Sequence, residues 1–574
     1  MAAADKKFIN HISSQHLMKK HWLNLLIIAA FVATLSLPFS NKAYHMDDPA
    51  FLAIADQIAK DPLRPYSFSL EWGQSAKSAA QLLDTPLVPY YIAFVTWLFG
   101  RSEMILHLAF LIFPLMAGAS FYFIAGRFVP YPLVAALLLI SSPVFLPNSH
   151  NLMLDIPSLS FFLLSMALFV NGVDRKSHAL LSLGSIAAGL AFLAKPQSLV
   201  IIPLLAFYCI VRKKRTYVIY QLIPVFFVIL FSIHNYFFEG SVIAADYISF
   251  LSGAKQSSVM LFAAYALSNL SSIGGAVLFP LFLFYPFVLK KRNLPLLGAS
   301  AAIGLLISFL TYQFSAISAS GQYTLPQISL LLVFVSGALF FLFVLLSDHY
   351  GNIRLFLRSA FRAGKRKYNP PALFLSAWFF GTLAVNSGIS GGAVRHLAYF
   401  LPAMILCYLA LLKSYAPLLR IQMQTFLAIG VASTLSLGFL ISVADYQYAG
   451  VYRDFSEHAG NQFKTATNTV HFLGSAGFQH YMAEHGYHML LNGDNSPKQG
   501  DIIIRARLVF PRKMAPELAA RVAYVDTIRY SSRLPVRIQN TEAHAGYYTL
   551  GAGLLPYYFS VSDLESFDVY YVAR

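Results

Sequence analysis

Charge is scarce in this chain, and negative charge is scarcest. Charged residues make up 12% of 574, with 25 Asp and Glu against 42 Lys and Arg. An ordinary soluble domain carries about twice that fraction, so a soluble globular fold is excluded. Cysteine is nearly absent. Cys209 and Cys407 both lie inside apolar runs, which argues against a disulfide framework and leaves them as small apolar packing groups. There is no GxxxxGK(S/T) loop, no CxxC pair, no repeat of 20–50 residues and no low-complexity tract. ATP hydrolysis therefore has no support.

What the chain has instead is apolar sequence. Hydrophobic residues reach 57% and mean hydropathy is +0.59. Runs of roughly 20 apolar residues recur along the first three quarters, the length a bilayer requires. They give about thirteen expected spans, centred near residues 30, 113, 138, 165, 186, 204, 227, 275, 305, 335, 380, 404 and 431. The first run, Leu23–Pro38, follows Lys6, Lys7, Lys19 and Lys20 without a convincing cleavage site after it, and reads as a retained helix. The net charge of +17 sits in clusters: Arg175-Lys176, Arg212 to Arg215, Lys290 to Arg292, Arg354 to Lys367, and Lys413 with Arg420. These fall at every second gap between apolar runs. That is a membrane-topology label and a contact for anionic lipid, not a nucleic-acid surface. The N-terminus is then expected in the cytoplasm, and residues 445–574 on the outer face.

On that outer face the label also gathers the loop 41–101, the segment Pro147–Asp155, Lys195 and Arg395. In the loop, Pro49–Lys60 reads as a helix with Phe51, Ile54, Ala55 and Ile58 on one side, and Thr85–Gly100 as an apolar helix lying in the interface. After Asp445 the composition changes. Asp501–Phe510, Arg521–Tyr530 and Asp568–Val572 read as strands, and Asn461–Gly486 as a helix. The expected division is a membrane domain, 1–444, and an outer α/β domain, 445–574.

Acids at a membrane lip cost free energy unless they face water, a partner or a substrate. Asp47 and Asp48, in Tyr44-His45-Met46-Asp47-Asp48, are the leading candidates. Asp48 also suits a helix cap before Pro49, but a cap does not account for Asp47, which is placed to take a proton from a hydroxyl. Asp84 precedes Thr85-Pro86 and reads as a turn acid, a support for the first pair, or a cation ligand together with His45. Asp155 either caps its span or lines the site. Lys195 and Arg395 are cations beside apolar runs. Each is either snorkelling to headgroups or holding a phosphate, and arginine's fork suits the second role better.

These residues resemble the GT-C superfamily of integral-membrane glycosyltransferases, and glycosyltransferase family 39 in particular, which includes protein O-mannosyltransferases and the lipid A aminoarabinose transferase. Asp47-Asp48 with Phe51 and Ala55 is similar to the family's Asp-Glu-x-x-Tyr-x-x-x-Ala element. Asp84-Thr85-Pro86-Leu87 and Phe99-Gly100-Arg101-Ser102-Glu103 resemble its acid-x-Pro-Pro-Leu and Phe-Gly-x-Ser-Glu elements. Asp155-Ile156-Pro157, Gly189 to Lys195, and Arg395 through Pro402 resemble three later ones. The chain departs from the pattern at Asp48 (usually Glu), Thr85 (usually Pro) and His107 (commonly Arg), and Gly474–Met482 resembles an outer-domain element of other relatives.

The resemblance implies a polyprenyl-phosphate sugar donor and inverting transfer on the outer face to a lipid, glycan or protein hydroxyl. Asp47, with Asp48, would be catalytic, and Lys195, Arg395, Asp155 and Tyr44 would contact donor phosphate or acceptor. A divalent cation held by Asp84 and His45 is the candidate cofactor. The expected location is a bacterial cytoplasmic membrane, with the C-terminal domain periplasmic or extracellular. Two other classes stay open: a transporter or flippase of lipid-linked sugars, which calls for polar residues at mid-membrane and internal symmetry, and a non-catalytic envelope-assembly scaffold, which has no need of Asp47, Lys195 and Arg395 on one face.

Overall fold

A backbone in a bilayer must satisfy its own polar groups, so apolar runs become helices. In the computed structural model every expected span centre falls inside one. The structure describes residues 2–72, 75–82, 84–240, 259–277, 283–314, 321–361, 368–389, 392–463 and 468–573. Residues 362–367 of the basic stretch Arg354–Lys367 lie outside them. The helices that matter here are α1 (Ala2–Ser36), α2 (Asp48–Lys60), α3 (Leu87–Phe99), α4 (Glu103–Phe110), α5 (Ile112–Phe128), α6 (Pro132–Ser141), α7 (Asp155–Arg175), α8 (His178–Ala194), α9 (Ile201–Val211) and α10 (Leu222–Glu239). They continue with α11 (Val259–Ser272), α12 (Leu294–Phe314), α13 (Leu325–Phe361), α14 (Pro370–Ile389), α15 (Leu401–Tyr415), α16 (Met423–Phe463) and α17 (Gly477–Glu484).

Among the described residues, eight helical segments are long and apolar enough to cross a membrane, and four more apolar helices have only 10–17 residues. α6 is the clearest departure from the expected thirteen full spans. Its 10 residues rise about 15 Å at 1.5 Å each, half a hydrocarbon core. The chain then continues as a buried segment of turns that ends in a short 3₁₀ helix, Pro147–His150. α10 shows the opposite character: Phe226, Ile229, Ile233 and Phe237 are exposed along one side, the apolar face a lipid-facing helix presents.

Small residues set the close helix contacts. A Cβ on Gly438 of α16 would lie 2.2 Å from the carbonyl oxygen of Ser141 on α6, and one on Gly184 of α8 would lie 2.8 Å from the backbone nitrogen of Phe169 on α7. Without a hydrophobic drive between helices in lipid, this intimacy is a main source of cohesion. The 21 residues of α7 run about 30 Å. Asp155 stands at one end, and Asp174, paired with Arg127 and Arg212, at the other. The Asp155 end and this basic cluster therefore lie at opposite ends of the bundle.

Two short strands in the loop before α3, β1 (Ser69–Trp72) and β2 (Ser75–Ser78), pair antiparallel, and the C-terminal sheet contains β3 (Val470–Leu473), β4 (His488–Met489), β5 (Ile502–Ala506), β6 (Val522–Tyr530) and β7 (Glu565–Val572). Its order is β4-β3-β5-β7-β6, parallel at the first two pairings and antiparallel at the others. The three expected strands are present. The expected helix Asn461–Gly486 is not continuous: β3 interrupts it, and among the described residues only the end of α16 and α17 are helical there. The composition change at Asp445 falls inside α16, which runs unbroken from Met423 to Phe463. One large core cluster joins the helices to the sheet, and a small one (Leu473, Leu490, Ile503, Leu518, Val572) lies on the sheet itself.

Candidate active site

The site forms where four distant stretches converge: the loop before α2, the start of α7, the end of α8, and the turn between α14 and α15. Met46 takes a positive φ of 51°, a conformation that costs a non-glycine residue about 1–3 kcal/mol. It sits between the buried His45 and the half-exposed Asp47. The carboxylate of Asp47 accepts a hydrogen bond from a terminal nitrogen of Arg395 at 2.5 Å. Asp47 keeps 30% of its side-chain surface and Arg395 16%, so this pair remains open to a ligand.

Both line a cavity of about 270 Å³ with Met46, His396, Ser475, Phe510, Arg512 and Tyr548 among its walls. Burial works against the charge of Arg395, but Asp47 and Asp155 more than offset it and hold the guanidinium above its ordinary range. Its Nε has no hydrogen-bond partner, nor does Nδ1 of His396. Burial, with Lys195 and Arg395 nearby, holds the His396 imidazole well below its usual range and therefore neutral. His396 also lines a second, smaller pocket with Asp155, Lys195, Asn386 and Tyr399. There the Lys195 ammonium donates to Asp155 at 2.6 Å. The two expected cations thus stand on consecutive pockets that share one residue, each already paired with one of the expected acids.

Lys195 is exposed to this pocket because α8 stops at Ala194: Pro196 follows and lacks an N–H. Thr85 donates to the carbonyl of Phe192 at 2.9 Å and ties the Asp84 loop to the same helix end. Burial pushes the Asp84 carboxyl up to about 7; Lys195 opposes this and Asp47 adds to it.

Three sequence expectations meet a different geometry. Asp48 is fully buried and is the first residue of α2 rather than its cap. Its carboxylate accepts backbone N–H groups from His45 at 3.2 Å and Leu152 at 2.9 Å, so it clamps the loop to the segment before α7. Tyr44 does not line the cavity. Its ring stacks on His107, its N–H donates to Tyr481, and Gly477 lies so close that a Cβ there would be 2.5 Å from the Tyr44 carbonyl oxygen. His45 and Asp84 do not share a site. His45 contacts Asp445 through Nε2 at 2.9 Å, while Asp84 belongs with the Lys195 group. Among the described residues no cluster of three or more His, Cys, Asp or Glu could hold a metal ion.

Sequence reasoning missed the layer beneath the cavity. Lys42 donates to Asn151 at 2.5 Å and to Asp445, and Tyr548 donates to Asp445 at 2.8 Å while accepting from Asn151 at 2.9 Å. All are buried. Asp445 carried a signal, an acid following the apolar run of α16. Ser475 falls in Gly474–Met482, whose resemblance assigned it no role, and Arg512 carried no signal, because nothing local connects either residue to Asp47.

Residues 84–237 match the sequence model of the family described as dolichyl-phosphate-mannose-protein mannosyltransferase. The match covers 154 of the chain's 574 residues and takes in Asp84-Thr85-Pro86-Leu87, Asp155-Ile156-Pro157 and Gly189 to Lys195. Three solved structures are similar in part. The chain is 15% identical to the oligosaccharyltransferase AglB of Archaeoglobus fulgidus, in complex with an inhibitory peptide and a dolichol-phosphate, with a TM-score of 0.43 over 82% of this chain and 64% of that one. It is 15% identical to ArnT of Cupriavidus metallidurans bound to undecaprenyl phosphate, TM-score 0.37, over 84% and 92%. It is 16% identical to the protein O-mannosyltransferase Pmt1–Pmt2 complex of S. cerevisiae, bound to the sugar donor, TM-score 0.28, over 40% and 33%. The chain therefore spans less than two thirds of the first of these and a third of the last. No curated protein sequence matches it significantly.

Proposed function

We propose that the chain transfers a sugar, with inversion, from a polyprenyl-phosphate donor to an acceptor hydroxyl at the outer face of a membrane. The carrying observation is the Asp47–Arg395 pair at 2.5 Å in an open cavity, one residue away from the pocket that holds Lys195. Asp47 removes the proton as the acceptor oxygen attacks the anomeric carbon. The bond from that carbon to the phosphate oxygen breaks, and the phosphate takes up negative charge. Arg395, with its free Nε, and Lys195 stabilise that charge, a contribution worth about 10²–10³ in rate per donor.

Arriving phosphate competes with Asp47 and Asp155 for the two cations. Donor binding thereby frees Asp47 to accept a proton. An apolar groove of about 330 Å³ between α3, α8 and α10, lined by Leu87, Leu193, Phe227 and Phe231, begins two residues from Lys195 and suits an isoprenoid tail.

The reading is tested by mass spectrometry of lipid co-purifying with the protein. Asp47→Asn is expected to retain intact lipid-linked sugar, wild type to retain isoprenoid phosphate, and Arg395→Gln to retain less of either. Absence of any isoprenoid lipid from wild type and Asp47→Asn, or normal turnover in Asp47→Asn, sinks the proposal.

A further inference from the structure

Part of the cavity wall comes from the C-terminal domain, and it carries a cation with no acid beside it among the described residues. Arg512 donates through Nε to the hydroxyl oxygen of Ser475 at 2.9 Å. Both residues line the cavity. The other cations around the site are matched: Lys42 with Asp445, Lys195 with Asp155, Arg395 with Asp47. Among the described residues no carboxylate lies within ion-pair distance of Arg512. Burial without a counter-charge pushes its guanidinium below the ordinary range, the mark of a half-buried charge awaiting a partner.

The geometry is prepared for one. With Nε fixed on Ser475, both terminal nitrogens form an open fork, and the Ser475 hydroxyl hydrogen remains free to donate. Ser475 is held in place by strain. Ala476 adopts φ 61° and ψ −135°, a conformation that non-glycine residues avoid and that persists only where the surroundings impose it. Gly477, next in sequence, is jammed against the backbone of Tyr44 and His45. The turn that aims Ser475 is therefore locked to the turn that aims Asp47.

We infer that Arg512 and Ser475 form an anion subsite for a substrate, taking a phosphate or carboxylate group within the cavity that Asp47 and Arg395 also line. Within the cavity lining Asp47 and Arg395 cancel, so the surplus positive charge is that of Arg512. The anion has two sources with the same chemistry: a second phosphate on a diphosphate-linked donor, or an acidic group on the acceptor. The inference deepens the transferase reading of this cavity.

The test is calorimetric titration of the full-length protein in detergent, saturated with undecaprenyl phosphate, using inorganic phosphate as the probe. Wild type is expected to take up phosphate. Arg512→Gln is expected to weaken uptake about 10- to 100-fold, the scale of a charged hydrogen-bonding group. Arg512→Lys, which keeps charge but loses the fork, falls between, and Ser475→Ala weakens uptake by less. Unfolding temperatures of the same samples show whether Arg512→Gln is folded; if it is not, Arg512→Lys and Ser475→Ala carry the comparison. With undecaprenyl diphosphate in place of the monophosphate, blocked uptake assigns the anion to the donor, and persistent uptake assigns it to the acceptor. No uptake by wild type, or uptake by the folded variants equal to wild type, overturns the subsite. That failure is distinct from failure of the transferase reading, in which no isoprenoid lipid co-purifies.

Discussion

At the scale of single residues, charge here is organised in pairs, and the pairs differ in purpose. Lys42 and Asp445 are fully buried and joined to His45, Asn151 and Tyr548. Removing one member of such a pair leaves an uncompensated buried charge, at about 3–5 kcal/mol. Lys42→Met and Asp445→Leu should each lower the unfolding temperature sharply, while the double variant should recover much of the loss. An additive double variant would show that the two do not act as a pair. Asp84 makes a different prediction. Its folded pKa of about 7 lies above the ordinary carboxyl value, so the folded state holds the proton more tightly. The stability it confers is fully present below pH 4 and is lost as pH rises through 7. Asp84→Asn should therefore narrow the fall in unfolding temperature between pH 5 and pH 8, and an unchanged pH profile would remove Asp84 from the buried group. Asp47, Asp155, Lys195 and Arg395 were legible in the sequence because an isolated charge beside an apolar run has few reasons to exist. Lys42 was not, because its acid lies 403 residues away, and a loop lysine next to an expected membrane boundary reads as an ordinary headgroup contact.

At the scale of elements, apolar runs revealed where helices lie but not how deep each one goes. α6 and α9 have the composition of spans and too few residues, because neighbouring helices and the buried segment after Ser141 supply the packing that lipid would otherwise provide. Periodicity recovered α2, which buries one side, while clusters of β-formers punctuated by Gly and Pro marked the three long strands. It failed over Asn461–Gly486, where Val470–Leu473 is buried at every position and a fully buried strand has no alternation to read. Helix cohesion lies in the glycines. Gly438→Ala should separate α16 from α6, because the added methyl meets a carbonyl oxygen at 2.2 Å. Gly450→Ala, in the same helix with nothing within 4 Å, should be neutral or stabilising by about 1 kcal/mol. Thermal unfolding of the two variants in one detergent checks this, and equal effects would show that the α6 contact is not tight.

At the scale of the whole molecule, the C-terminal domain completes the cavity that Asp47 and Arg395 line, and no local pattern could reveal that. Val394 donates its N–H to the carbonyl of Tyr547 at 2.9 Å, and the Tyr547 hydroxyl bonds Asn148 and the carbonyl of Pro143. Tyr481 bridges the Tyr44 backbone and Glu103, which Arg453 also holds. Asp47 is thus aimed by contacts to residues some 400 positions later in the chain. The junction is narrowest at Gly477, where a side chain must push α17 away from the Tyr44–His45 backbone. Gly477→Val should leave the helical content seen by circular dichroism unchanged, since the membrane helices do not depend on it. It should cut formation of isoprenoid phosphate about ten-fold or more, because a displacement of roughly 1 Å at a reacting group costs up to about 10² in rate. Full turnover in a folded Gly477→Val variant would mean that the membrane domain positions Asp47 alone. The sheet domain would then be a neighbour of the reaction rather than a wall of it.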